Sequence, residues 1–237
     1  MSKKSEFQPS RRGLLKATAT TAAAVALAGR GGSALAATPP AVDLNSYTPV
    51  VFDADEWRFL LAACDRLIPE DETGPGALAA NVPVFIDRQM NGDFGHARDW
   101  YMKGPFAENP SPLHGYQSPL TPAQVYHLGI KGTDAHCRDT FGKSFAELAP
   151  EQRDQVLVGL EKGDVKLQDV DGKAFFNFLL QNTKEGFFAD PIHGGNKHMI
   201  GWALLGFPGA RGAYLEWVDQ YNVPYPLGPV SLSGERR

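Results

Sequence analysis

Apolar residues recur at intervals of three and four along several segments of the chain, which is the spacing of one buried face of an α-helix. The first segment starts after Asp53, and Glu56 stands three residues further on, as in a capping box. Pro69 ends this segment because proline cannot continue a helix. Further helices are predicted at about 78–90, 121–140, 150–163 and 171–180, with a short one at 199–205.

Cap and turn residues fall where these helices are expected to begin and end. Thr121 and Asp171 can cap helix starts, Pro150 suits a first turn, and Gly163 favours a stop. Pro83 lies in the first turn of its helix or marks that helix's true start. No segment sustains the alternation of apolar and polar residues that a half-buried strand requires. The pattern therefore predicts an irregular, single-domain all-α fold of about five to six helices with long loops.

Two stretches lack helical periodicity. Residues 91–118 are rich in Gly, Pro and aromatic residues and form a long predicted loop, and loops of this length in compact domains are often functional. Residues 224–237 hold Pro, Gly and Ser. They predict a C-terminal tail that either lies along another surface or is disordered.

The first 36 residues have the order of an export signal. A basic segment with the pair Arg11-Arg12 precedes an Ala- and Thr-rich run at 17–28, and Ala34-Leu35-Ala36 fits a cleavage site. This order is typical of a twin-arginine signal, which sends folded proteins across the bacterial inner membrane. The run is about half of the ~20 residues that a membrane helix needs. We expect a signal at 1–36, a domain at 37–223 and the tail at 224–237; a basic, flexible N-terminus is the alternative.

Removal of the signal changes the charge balance. The full chain has a net charge of −4, whereas residues 37–237 carry 17 basic and 26 acidic residues, a net charge of −9. Nucleic-acid binding requires Lys and Arg to neutralise phosphates, so this surface argues against it and against direct docking on anionic lipid. No other segment approaches eighteen apolar residues, so no direct membrane span is expected.

Cysteine content and motifs indicate no cofactor on this chain. Cys64 and Cys137 are the only cysteines; they could form one disulfide in an oxidising compartment, although Cys64 also suits a buried helix face. Two cysteines are too few for an iron–sulfur cluster or a Cys-rich zinc site, and a Cys-x-x-Cys-His haem motif is absent. The dinucleotide motif G-x-G-x-x-G and the hydrolase motif G-x-S-x-G are also absent.

Histidines and carboxylates give only a weak metal signal. Asp190, His193 and His198 carry suitable donors, but the two histidines are five residues apart rather than the three or four that share a helix face. Turn formation and surface contacts are the favoured interpretation of all three. His127 and His136 are interpreted as ordinary surface or core residues.

The most distinctive segment is residues 187–209. It reads F-F-x-D-P-x-x-G-G-N-x-x-x-x-G-W and continues to G-F-P-G. Gly194-Gly195-Asn196 tolerate positive φ, so a tight turn is expected there. The segment resembles the gluconate 2-dehydrogenase subunit 3 family. Asp65-Arg66-Leu67-Ile68-Pro69, Gly76-Ala77 and the 84–87 stretch resemble its first half, and 100–106 is similar to subunits that serve gluconate dehydrogenases. His193 departs from the family, where Tyr is more typical.

The resemblance covers nearly the whole of residues 37–223 and implies a non-catalytic partner. It implies a small periplasmic subunit that assists folding and twin-arginine export of an FAD-containing subunit of the glucose–methanol–choline oxidoreductase type. A multihaem cytochrome c subunit would take the electrons, and this chain would carry no cofactor. The alternatives are a stand-alone periplasmic binding protein or chaperone, or the same role for another sugar or polyol dehydrogenase.

Partner contacts are expected in two places, residues 190–209 and residues 91–118. Trp and Tyr often carry binding energy at protein contacts, so exposed aromatic residues near the C-terminal end are candidates. The candidate contact residues are Asp190, His193, Asn196, Trp202, Phe207, Tyr214 and Trp217.

Overall fold

The computed structural model describes residues 42–107 and 111–237. The arginine pair Arg11-Arg12 and the predicted signal lie outside these residues. Within them, α-helices are joined by loops and 3₁₀ turns, and the only β-type pairings are isolated bridges such as Asp71 with Gly74. The predicted all-α class is confirmed.

Six α-helices follow one another in the described part of the chain. They are α1 (Ala54–Leu67), α2 (Val82–Asn91), α3 (Pro122–Phe141), α4 (Pro150–Lys162), α5 (Gly172–Phe188) and α6 (Ile200–Leu205). Single 3₁₀ turns occupy Pro112–His114, Phe145–Glu147, Pro191–His193, Lys197–Met199 and Leu215–Trp217. The described residues between 92 and 121 contain one such turn, Pro112–His114, which agrees with the loop predicted from composition.

The helix starts follow the capping residues read from the sequence. The Asp53 carboxylate accepts the N–H groups of Asp55 (2.8 Å) and Glu56 (2.9 Å), and the Glu56 carboxylate accepts the Asp53 N–H (3.0 Å). Thr121 and Gln124 repeat this capping box at the start of α3. Because each box satisfies N–H groups that have no partner inside the helix, the starts of α1 and α3 are fixed locally.

Helix α2 begins at Val82, four residues after the predicted start. Asn81 adopts a left-handed conformation with φ of 57°, which an α-helix cannot include. The preceding residues 77–80 form a turn, in which the Ala77 N–H donates to Ile68 O (2.8 Å). The helix thus begins one residue before Pro83. Of the two alternatives that the sequence allowed, the second holds: Pro83 marks the true start of the helix.

The core forms where α5 packs against α2, α3 and α4, while α1 packs against α2, α3, α4 and the turn Phe145–Glu147. Phe175 is fully buried and meets Tyr126 edge to face, with ring centroids 5.8 Å apart. Gly129 makes this approach possible, because a Cβ there would lie 2.3 Å from the Phe175 ring. Phe59 and Phe145 extend the cluster at a centroid distance of 4.5 Å.

A buried carboxylate on α2 holds the segment that precedes α1. Asp87 is fully buried and accepts the Tyr47 hydroxyl (2.6 Å) and the N–H groups of Val50 and Val51 (both 2.9 Å). Partial burial and these contacts with Asp87 raise the pKa of Tyr47. The charge of Asp87 is thus compensated by hydrogen bonds, which fix residues 47–51 against the helical core.

No helix within residues 42–107 and 111–237 has both the length and the apolar character needed to cross a bilayer.

Candidate functional site

The distinctive 187–209 segment leaves α5 through Asp190. Its carboxylate accepts the Ile192 N–H (3.1 Å) at the start of the 3₁₀ turn and the Leu232 N–H of the C-terminal tail (2.7 Å). Asp190 is buried between these two segments. Its side chain therefore joins the motif to a stretch of chain about forty residues further on.

Asn196 is the centre of the next turn. It is fully buried, with φ of 45°; its amide nitrogen donates to Ala189 O and its amide oxygen accepts the Gly201 N–H, both at 2.8 Å. Gly195 before it approaches the backbone of α5 so closely that a Cβ would lie 2.2 Å from Gly186 O. The Gly-Gly-Asn sequence is thus explained by close approach at Gly195 and by left-handed conformations at Gly194 and Asn196.

Two further residues of this loop have positive φ. His198 and Met199 adopt φ of 55° and 54°, which is uncommon for residues with a Cβ and costs about 1–3 kcal/mol each. Met199 is fully buried, so its packing helps to hold the conformation. His198 is exposed, and its Nδ1 lies 3.0 Å from the Glu235 carboxylate of the tail.

Trp202 of α6 is part of the domain's own packing. Its indole is 7% exposed, and Nε1 donates to Phe188 O at the end of α5 (2.7 Å). Gly201 beside it allows this contact, because a Cβ there would lie 2.2 Å from Phe187 O. Three of the predicted contact residues are therefore buried, and their hydrogen bonds hold the backbone of the segment: Asp190, Asn196 and Trp202.

The other candidates face outward. His193 is exposed, Phe207 is 47% exposed with its ring edge against Trp202, and Trp217 is half-buried against Tyr225, with centroids 5.0 Å apart. Tyr214 also packs against Tyr225, at 5.9 Å. A small aromatic cluster therefore supports the turn Leu215–Trp217.

The family model described as Gluconate 2-dehydrogenase subunit 3 matches residues 54–209. The chain belongs to the gluconate 2-dehydrogenase subunit 3 family. No curated protein and no solved structure matches it. The match begins at the first residue of α1 and ends at Gly209, so the family region contains all six helices and the whole 187–209 motif.

Exposed apolar side chains are concentrated at the end of the family region and in the residues that follow it. Twelve of the sixteen large hydrophobic side chains that the described residues leave exposed lie between 188 and 232. We call them the C-terminal apolar surface: Phe188, Ile192, Leu204, Leu205, Phe207, Tyr214, Leu215, Val218, Tyr221, Val223, Leu227 and Leu232. Sequence reasoning singled out Phe207 and Tyr214 of this surface but not its other members, although the run of apolar residues without helical period from 214 to 227 was a signal for them.

Residues 91–118, the second region where partner contacts are expected, pack against the helical core more closely than the C-terminal apolar surface does. Trp100 is half-buried and packs against Phe94, Tyr116 and Phe178, with centroids 5.6, 4.8 and 6.3 Å away. In that stretch Tyr101 and Leu113 are the large hydrophobic residues that point into solvent. The aromatic residues of 91–118 therefore mainly attach the loop to α5.

Buried thiols in the core are unsuited to nucleophilic chemistry. Cys64 and Cys137 are free and buried, and burial raises the pKa of each thiol to about 12. The Cys64 sulfur lies 3.8 Å from the Thr183 hydroxyl of α5. A thiol is nucleophilic as the thiolate, so these residues act as small core side chains at neutral pH.

Acidic and histidine side chains do not converge within the described residues. In residues 42–107 and 111–237, no group of three or more His, Cys, Asp or Glu residues is arranged to hold a metal ion. Asp190 and His198, two members of the weak metal pattern, are instead bound to Leu232 N–H and Glu235 of the tail. Nδ1 of His127 lies 2.6 Å from the Glu56 carboxylate, a hydrogen bond between α1 and α3 that periodicity did not indicate.

Proposed function

We propose that this chain is the non-catalytic small subunit of a periplasmic, FAD-dependent gluconate 2-dehydrogenase. The observation that carries the proposal is the family match over residues 54–209, since this family is that of subunit 3 of the enzyme. The complex would oxidise the C2 alcohol of D-gluconate to the ketone of 2-keto-D-gluconate. The two electrons would pass through FAD on the flavoprotein subunit to a multihaem cytochrome c or quinone.

In this proposal the chain contributes binding and export rather than chemistry. The substrate pocket and FAD belong to a glucose–methanol–choline-type partner, and haem c belongs to a third subunit. The pair Arg11-Arg12 supports export in the folded state, which allows the flavoprotein to leave the cytoplasm already bound. This chain would then remain in the periplasm, attached to the inner membrane through its partners.

The carrier role is tested by the Arg11→Lys/Arg12→Lys variant in a host that produces all subunits. The matched control is Lys3→Arg/Lys4→Arg, which keeps the charge of the segment and leaves the pair intact. Cell fractionation should find both this chain and the flavoprotein in the cytoplasm for the first variant and in the periplasm for the control. Retention of this chain alone, with normal export of the flavoprotein, would contradict the carrier role.

The subunit role is tested by purifying the tagged wild-type chain from the same host. We expect a complex with flavin and haem absorbance, and a colourless protein when the chain is produced without its partners. Recovery of the tagged chain without any dehydrogenase subunit would favour a stand-alone binding protein or chaperone. Activity of the complex toward a panel of sugar acids and polyols would establish the substrate.

A further inference from the structure

The stretch from residue 188 to residue 232 is unusually poor in charge for a protein surface. Five of the 45 residues from 188 to 232 are Asp, Glu, Lys or Arg, whereas 21% of the whole chain is charged. Leu215 and Tyr221 are 82% and 79% exposed. Depletion of charge together with exposed aromatic and aliphatic side chains is typical of the core of a protein interface.

Several contacts bring the segments that carry these side chains together. Gly209 pairs with Val230, and the Ala210 N–H donates to Val230 O (2.7 Å). Asp190 accepts the Leu232 N–H, and the Tyr214 hydroxyl donates to Gly209 O (2.7 Å). The end of α5, the residues after α6, and the tail are therefore neighbours in the described structure.

The size of this surface fits a permanent subunit contact. Its twelve side chains are on average about half exposed. At ~150–250 Å² for a large side chain, they present ~1,000 Å² or more of apolar area. Monomeric proteins rarely expose contiguous apolar patches beyond a few hundred Å². Permanent complexes bury upward of ~2,000 Å² in total, or ~1,000 Å² on each partner.

We propose that the C-terminal apolar surface is the docking surface for the flavoprotein subunit. This inference rests on the proposed function, because a flavoprotein that is exported in complex with this chain must stay bound throughout translocation and so requires an interface of the permanent kind. A lipid surface suits it less, since Lys197 and Arg211 are the only Lys or Arg residues between 188 and 232.

Leu215 and Tyr221 are the best residues for testing the surface. Both are largely exposed, so substitution costs the isolated chain little. The 3₁₀ turn Leu215–Trp217 packs against Tyr225 through the Trp217 ring, with centroids 5.0 Å apart. An aspartate at either position would introduce an unpaired charge into a desolvated contact.

The experiment uses the full-length tagged chain in a host that produces the other subunits and lacks its own copy of this gene. The Leu215→Asp/Tyr221→Asp variant is compared with Val50→Asp/Val158→Asp, which places two aspartates at exposed hydrophobic positions outside both expected contact regions. The tagged chain is captured, the large subunit is identified from its peptide masses, and released flavin is measured per mole of chain. We expect at least a tenfold loss for the first variant and wild-type recovery for the control.

Each other outcome has a definite meaning. Equal flavin recovery by wild type and the first variant would overturn the docking surface while leaving the proposed function intact. Failure of the wild-type chain to recover any flavoprotein would contradict the proposed function itself. Loss of flavin in the control variant alone would overturn the proposal in favour of a surface that includes Val50 or Val158. If the isolated chain is a dimer that the first variant dissociates while flavin recovery is unchanged, the surface binds a second copy and the proposal fails.

Folding of the variant is checked separately. Circular dichroism of the isolated Leu215→Asp/Tyr221→Asp chain should give the wild-type helix content. If it does not, the Leu215→Ala/Tyr221→Ala variant replaces it, because truncation adds no charge and still removes two exposed contacts. A flavin loss of at least threefold is expected from that variant, and wild-type recovery would overturn the docking surface.

Discussion

The helical part of this chain, α1 to α5, and its last fifty residues are built in different ways. The helices bury their apolar faces against one another, with Phe175, Tyr126 and Phe59 all at most 1% exposed. The C-terminal part has one α-helix of six residues, and hydrogen bonds from Asp190, Asn196 and Trp202 hold its loops. Its apolar side chains largely remain in contact with solvent.

The two parts differ in how much of their apolar area they bury within the chain. Burial of apolar area is the main favourable contribution to folding, and the helical part obtains it within the chain. The C-terminal part uses directional hydrogen bonds to hold its backbone and leaves much of its apolar area exposed, where we propose that the flavoprotein binds. Substitutions in the two parts should therefore affect different measurements, namely stability for the helices and association for the C-terminal surface.

The largest expected effect is that of Phe175→Ala. Removal of this buried ring leaves a cavity between α3 and α5, and the cost is about 3–5 kcal/mol of a total stability of ~5–15 kcal/mol. Phe207→Ala is the matched control, since its ring is 47% exposed and its removal should cost less than ~1 kcal/mol. Urea unfolding followed by circular dichroism measures both. Equal losses would show that the two parts do not differ as described.

Asp87→Asn should have the next largest effect. The amide has one acceptor oxygen in place of two, and its NH2 group would face the N–H of either Val50 or Val51, which bind different oxygens of Asp87. We expect a loss of about 2–3 kcal/mol in the free energy of unfolding, and faster hydrogen exchange at these two amides. Asp99→Asn, at an exposed position, should stay within ~0.5 kcal/mol of wild type. Unchanged exchange at Val50 and Val51 would argue against the role of Asp87.

Asp190→Asn should act locally in the C-terminal part. One acceptor oxygen remains, so the hydrogen bond to either Ile192 or Leu232 is weakened at a cost of about 1 kcal/mol. Amides near Leu232 should exchange faster, while those of α1 to α5 keep their wild-type rates. Asp219→Asn is an exposed control. Faster exchange across the helices would mean that the tail and the helical part unfold as one unit.

The smallest effect is expected at an ion pair between α1 and α4. Arg66 binds Asp154 through two hydrogen bonds of 2.8 and 2.7 Å, which lower the pKa of Asp154. A lowered folded-state pKa means that the pair stabilises above the unfolded pKa of ~3.9 and that this contribution is lost as pH falls through the folded value. Asp154 is partly exposed, so Asp154→Asn should cost only ~0.5–1 kcal/mol at neutral pH, and this cost should shrink as pH falls through the folded pKa. A constant difference from wild type across this pH range would contradict the interpretation.

The helical part was largely predictable because its signals are local. Asp53 with Glu56, Thr121 before proline, and Asp171 each cap the helix that they predicted, and Gly163 ends α4 at φ of 77°. For the start of α2 the sequence left two alternatives, residue 78 and Pro83. The start depends on the left-handed Asn81, whose side chain donates to Val42 O (2.6 Å), a contact with a distant part of the sequence.

The candidate site was predictable as a segment but not residue by residue. The Gly-Gly-Asn motif correctly indicated a turn with positive φ. The spacing of residues along the sequence could not show that Asp190 and Trp202 face inward. Their hydrogen-bond partners, Leu232 N–H and Phe188 O, come close to them only in the folded chain. The part played by His193, Phe207 and Trp217 in binding a partner stays a prediction.

Hydrogen exchange of this chain, alone and in its complex with the flavoprotein, tests most directly whether the C-terminal apolar surface binds the flavoprotein. If it does, we expect at least tenfold slower exchange on complex formation at backbone amides between 204 and 232, with rates in α1 to α5 changed by less than about twofold. Slower exchange confined to α3 and α4, with residues 204–232 unchanged, would contradict binding at this surface.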